Sequence, residues 1–235
     1  MDWKHYGKCF LRSIMAGMAI GLGGCIYMSS VATDYKWVGA VLFAIGLFTV
    51  YTFGFDLYTG KVGYAVRNKP SFIIDLVIMV VGNFVGAFFV GETMPMTNTA
   101  NYDAVYSALI TARLGEDIAS IEGMKWGMVF WKAVFCGVLM FIAADYYKVH
   151  KKYLGAILCV PVFILSGMEH SIADMFYFCA ADAFNLNALL FILVVVAGNA
   201  VGGIIIPLFQ KYMYDKPSDA PKPTPEEMPC GDKNQ

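Results

Sequence analysis

Gly54-Phe55-Asp56-Leu57-Tyr58-Thr59 and Gly167-Met168-Glu169-His170-Ser171-Ile172 each interrupt a long apolar run with glycine, an acid and a polar turn. They lie 113 residues apart. A second pair of phrases follows each: Gly82-Asn83-Phe84-Val85-Gly86-Ala87 and Gly198-Asn199-Ala200-Val201-Gly202-Gly203, offset by 116. The chain reads as one unit written twice, with polar breaks in matching places. In a membrane protein that pattern marks a transport path where the two repeats meet.

Composition supports the membrane reading. Apolar, aromatic and cysteine residues make up 58% of the 235 residues, charged residues 15%, and mean hydropathy is +0.59. This is far from an ordinary soluble domain. A net charge of −1, with no long basic cluster, argues against nucleic acid as a partner. The six cysteines are scattered without a C-x-x-C spacing, so neither a zinc site nor a disulfide framework is expected, and no cofactor is.

Six spans are expected, at 10–31, 37–59, 71–91, 126–145, 153–180 and 187–209, each near the ~20 residues that cross the hydrocarbon. Lys and Arg set the orientation. Lys4, Lys8 and Arg12 precede or open the first span; Lys61, Arg67 and Lys69 follow the second; Lys148, Lys151 and Lys152 follow the fourth; Lys211, Lys216, Lys222 and Lys233 follow the sixth. These are thirteen of the 17 basic residues. All of them fall on one side, which the positive-inside rule makes the cytoplasm. Three spans per half is an odd number, so the halves are inverted relative to each other. The fold class is therefore all-α, six transmembrane helices in an inverted 3+3 repeat, with the second and fifth helices broken.

The spans make one domain, 8–212. The remainder, 213–235, is read as a disordered cytoplasmic tail, because five of the nine prolines lie beyond Asp215. The long external segment, 92–125, has Tyr102, Val105, Tyr106, Leu109 and Ile110 at helical spacing, and a short amphipathic helix is expected there.

Bare backbone groups are not tolerated against lipid, so each break must line protein or a wet cavity. Broken helices also aim positive dipole ends into the gap, which suits an anion. His170 is the one histidine within a span. It has two readings: a neutral ring satisfying a neighbouring helix, or a proton donor, since imidazole titrates near neutral pH unaided. Asp56 and Glu169 are expected to hold the turns through backbone hydrogen bonds. Asn83 and Asn199 adjoin glycines that allow close helix contact, and are expected to hold the broken loops. Lys132 is expected to snorkel or to point into protein. Nothing supports an enzyme: there is no nucleotide-binding motif, and Ser171 beside His170 diverges from it on a helix.

Gly167-Met168-Glu169-His170-Ser171-Ile172-Ala173-Asp174-Met175-Phe176 resembles the G-F-E-H-S-I-A-N-M-F signature of the formate/nitrite transporter family. The segment from Gly54 to Thr59 resembles its first-half G-A-x-L-F-T motif, and both G-N-x-x-G phrases match. The likeness runs over about residues 8–212. It implies an aquaporin-like fold, a homopentamer with a pore in each protomer, and passage of small monovalent weak-acid anions such as formate, nitrite or hydrosulfide. It makes His170 the central histidine and Thr59 the threonine of the loop in the second span. Leu57 and Tyr58 fall at an apolar constriction, and Asn199 matches a pore asparagine of the sixth span.

There are departures. The family's fourth-span C-N pair is Cys136-Gly137. The family lysine of the outer mouth has Lys125 as its nearest substitute. Asp174 replaces the signature's asparagine, four residues after His170, where a shared helix face would let it stabilise positive charge on the ring. An apolar constriction blocks a bare anion far more than its neutral acid. A positive vestibule that gathers the anion, with His170 supplying a proton, is the expected mechanism. A channel for neutral solutes such as water or glycerol is the alternative.

Overall fold

Apolar segments without water to bond their amides fold as helices. The computed structural model describes residues 3–31, 33–97, 110 and 126–213, and they are helical nearly throughout. Helix α1 is Trp3–Val31. The second span runs from α2 (Lys36–Leu42) into α3 (Ala44–Phe53) with only a slight irregularity at Phe43. After the break come one turn of helix, α4 (Tyr58–Lys61), and a 3-10 stretch, Val62–Arg67. Helix α5 is Phe72–Thr93. The second half repeats the scheme with α6 (Trp126–His150), α7 (Leu154–Leu165), α8 (Ser171–Ala180) and α9 (Leu186–Met213).

Among the described residues, five helical stretches are long and apolar enough to cross a membrane: α1, α2 with α3, α5, α6 and α9. The expected fifth span is a pair of shorter apolar helices, α7 and α8, separated at 166–170. Several ends differ from expectation. Helix α1 starts at Trp3 instead of near residue 10, and α6 continues to His150. Polar residues at helix ends obscured both boundaries. Most of the 92–125 segment, including Tyr102 and Lys125, lies outside the described residues, as does 214–235; Ile110 is described and buried.

Direction follows from side-chain neighbours. Arg12 near the start of α1 meets Lys148 near the end of α6 in one cavity. Tyr27 near the end of α1 meets Lys132 near the start of α6 in another. Helices α1 and α6, the first of each half, therefore run in opposite directions, as an inverted repeat requires.

Each half is closed by one tight helix pair. Helix α1 packs on α5, and α6 on α9. A Cβ at Gly17 would run into the Asn83 carbonyl, and one at Gly137 into the Asn199 carbonyl. The two contacts are copies of each other and need a hydrogen at both positions. Gly137 is thus a helix-packing residue in this chain. At the centre sits α8, all ten of whose residues are buried. Outside, large apolar side chains such as Leu22, Val77, Phe89, Phe135 and Leu193 are exposed, as a surface facing hydrocarbon demands.

Candidate functional site

The breaks are built alike. Gly54 and Gly167 take φ of 64° and 63°, the left-handed region that costs other residues about 1–2 kcal/mol. Behind them, Phe55 N–H donates to the Val50 carbonyl at 2.9 Å and Met168 N–H to the Phe163 carbonyl at 3.0 Å. These are the six-to-one bonds of a Schellman cap, which satisfy carbonyls the ended helix leaves open. The chain then runs extended through Leu57 (φ −96°, ψ 121°) and His170 (φ −114°, ψ 111°) into α4 and α8.

One asparagine holds each break. The Asn83 oxygen accepts from Tyr58 N–H at 2.9 Å, and its amide donates to the carbonyls of Ser13 (2.8 Å) and Asp56 (3.0 Å). The Asn199 oxygen accepts from Ser171 N–H at 2.9 Å, and its amide donates to the carbonyls of Ala133 (2.8 Å) and Glu169 (3.0 Å). Both side chains are fully buried. Each therefore ties the break to the first and last helices of its half, giving partners to backbone groups that the break strips from a helix.

His170 joins the halves. Its Nε2 lies 2.9 Å from Thr59 Oγ1, in a pair buried on both sides. Its Nδ1 accepts from Ala173 N–H at 3.2 Å, so the ring caps α8. An accepting Nδ1 puts the proton of the neutral ring on Nε2, which then donates to Thr59 and leaves the Thr59 hydroxyl hydrogen for another acceptor. Phe163 stacks on the ring at 5.5 Å and 18°. Both ring nitrogens are thus bonded to groups other than Asp174.

Two cavities approach this pair from opposite sides. One, of about 190 Å³ on the side where α1 begins, is lined by Arg12, Asp56, Leu57, Lys61 and Lys148 among others. The other, of about 240 Å³, is lined by Lys36, Lys132, Phe163, Glu169, His170 and Asp174. Leu57 and His170, repeat equivalents, each stand in the wall of one cavity. The acids are ion-paired. Asp56 lies 3.2 Å from Lys61 Nζ and 3.9 Å from Arg12 Nη1, and Glu169 lies 3.7 Å from Lys132 Nζ.

Thr59 and His170 therefore come together, with Leu57 in the wall of the first cavity and Asp174 in the wall of the second. Asn199 is engaged with backbone, and Tyr58 packs among Phe72, Leu76 and Phe141 with its hydroxyl donating to the Val196 carbonyl at 3.1 Å; neither lines these cavities. Lys125 lies outside the described residues. The turns are held at the Asp56 and Glu169 carbonyls by asparagine, while the two carboxylates face cations. Sequence reasoning passed over Arg12 and Lys61 as site residues and left Lys132 without a partner. A signal was available: Arg12 and Lys132 each stand five residues before the glycine, Gly17 or Gly137, that packs on the repeat's asparagine.

This geometry has relatives. The family model for formate/nitrite transporters matches residues 3–213. The chain is 27% identical over 239 residues to a probable formate transporter of Methanothermobacter thermautotrophicus, covering 85% of each chain. It is 25% identical over 246 residues to the formate channel FocA of Haemophilus influenzae, covering 87% of this chain and 86% of that one. In structure it resembles a pentameric formate channel with formate bound, with TM-score 0.77, 22% identity, and 92% and 100% of the two chains covered. It also resembles an FNT family ion channel with TM-score 0.75 at 22% identity, over 90% and 99%. With the aquaporin-like fold shared and the family model matched across every described helix, this multi-pass membrane protein belongs to the formate/nitrite transporter family.

Proposed function

We propose that this protein is a channel for small monovalent weak-acid anions of the formate, nitrite or hydrosulfide kind, with His170 assisting passage. The observation that carries the reading is the buried His170–Thr59 bond between two cation-bearing cavities. Arg12, Lys61 and Lys148 on one side, and Lys36 and Lys132 on the other, would gather anions at the mouths. Between the mouths stand Leu57 and the stacked Phe163–His170 pair. A bare charge at such a depth costs about 3 kcal/mol or more, whereas the neutral acid crosses cheaply. The guest anion accepts a hydrogen bond from Thr59 or the ring, takes a proton that enters from the cavity through water His170 orients, crosses as the acid, and releases the proton beyond. The neutral ring neither gains nor loses a proton over the cycle, so no net change remains in the protein.

The relatives that carry formate support the anion class, and the relative described as pentameric supports assembly as a homopentamer. The distribution of Lys and Arg supports both termini being cytoplasmic, in the cell's inner membrane. Residues 8–212 form the pore domain and 213–235 an accessory tail. Purified protein in vesicles tests the reading: labelled formate and nitrite should enter faster than in protein-free vesicles, while glycerol does not. Glycerol or water flux without anion flux would establish the neutral-solute channel instead.

A further inference from the structure

The two halves match closely around the breaks, and one pair of equivalent positions carries opposite charges. Gly54 corresponds to Gly167, Asp56 to Glu169 and Leu57 to His170, each 113 residues on. The same step takes Lys61 to Asp174. Each lines the cavity on its own side of the His170–Thr59 bond.

The surrounding charges amplify the difference. Arg12 and Lys132 are equivalent cations facing equivalent acids, 3.9 Å from Asp56 and 3.7 Å from Glu169. On the first side, Lys61 adds a second cation, 3.2 Å from Asp56, and Lys148 a third. In the lining, three cations meet one carboxylate, with Asp145 offsetting Lys148 from behind the wall. On the second side, fully buried Asp174 adds a carboxylate to Glu169, so that Lys36 and Lys132 face two. Inverted repeats with the same residue at these positions would give similar potentials at both mouths. This chain does not.

We propose that Lys61 and Asp174 are specificity-determining residues that make the pore electrically lopsided. An anion then binds more tightly at the Lys61 mouth, on the side where α1 begins, than at the Asp174 mouth. The inference rests on the anion-channel reading. A charge lining a narrow low-dielectric cavity acts on a guest anion more strongly than in bulk water, and a difference of this kind corresponds to about three- to tenfold in half-saturation. It cannot drive net flux. In a passive pore at zero voltage and equal pH on both sides, the ratio of maximal rate to half-saturation must be equal in both directions. The tighter mouth therefore also shows the lower maximal rate.

The test is initial formate flux against concentration, into right-side-out and inside-out vesicles clamped at zero potential and buffered to equal pH inside and out. Half-saturation should be lower for formate presented to the Lys61 mouth. Lys61→Asn should raise that value about three- to tenfold and leave the other mouth nearly unchanged, and Asp174→Asn should lower the value at the Asp174 mouth. Either variant suffices if the other does not fold, and the wild-type asymmetry needs neither. Saturable formate flux with equal half-saturation at both mouths, or with values that ignore both substitutions, would overturn the proposal and leave the channel reading standing. Absence of formate flux from wild type in both orientations would overturn both.

Discussion

His170 does two jobs with two nitrogens, and separate substitutions should part them. Nδ1 caps α8 and Nε2 meets Thr59. Asparagine at 170 retains a capping acceptor, whereas phenylalanine retains only the stack on Phe163 and loses a cap of about 1 kcal/mol. His170→Asn is expected to melt above His170→Phe in detergent, while both lose proton-assisted formate transport. Wild-type uptake across a pH series in either variant would remove the ring from the mechanism. The asparagines are expected to behave as a matched pair. Asn83→Ala and Asn199→Ala each strip a buried N–H and two carbonyls of a partner, at about 1–3 kcal/mol per unsatisfied group. Equal falls in thermal midpoint are predicted. A stable Asn199→Ala protein that binds formate poorly would instead assign that residue to the substrate. Sequence made His170, Thr59 and both asparagines legible, because polar residues are conspicuous within apolar runs. It did not show that the carboxylates of Asp56 and Glu169 face Arg12, Lys61 and Lys132, since those partners come from residues 5–44 positions away in the chain or at helix ends, where Lys and Arg look unexceptional.

At the level of helices, the breaks and the packing glycines make different demands. Gly54 and Gly167 need a left-handed backbone in open space, so alanine there is expected to cost about 1–2 kcal/mol without a clash. Gly17 and Gly137 need room, and any side chain meets the partner helix's carbonyl. Gly137→Asn, which would restore the family's C-N pair, is therefore predicted to force α6 from α9 and reduce the yield of folded protein. Gly127→Ala, with nothing within 4 Å, should leave yield and melting unchanged and serves as the control. A well-folded Gly137→Asn channel would contradict the packing assignment. The repeat, the breaks and their glycines were readable from spacing alone. The short α4 and the 3-10 stretch after it were not, because Tyr58–Arg67 reads as a span end and only the contact with α9 shows it doubling back into protein.

For the molecule as a whole, the account rests on topology and on what crosses. Helices α1 and α6 are antiparallel, and the Lys and Arg distribution supports the proposal that the side bearing Arg12 and Lys148 is cytoplasmic. Cysteine placed at exposed Asp34 should react with an impermeant reagent in intact cells, and at exposed Lys152 only after lysis. The described native cysteines are buried, so replacing Cys230, which lies outside the described residues, gives a suitable background. The reverse labelling pattern would invert the pore in the membrane and exchange its two mouths. The central claim is that an anion gathered at a charged mouth crosses the His170–Thr59 layer with a proton. Vesicles carrying a lumenal pH dye and a potential-sensitive dye, given external formate beside protein-free controls, test it most directly. The account predicts protein-dependent acidification of the lumen with no inside-negative potential; an inside-negative potential without acidification would show formate crossing as the bare anion and contradict it.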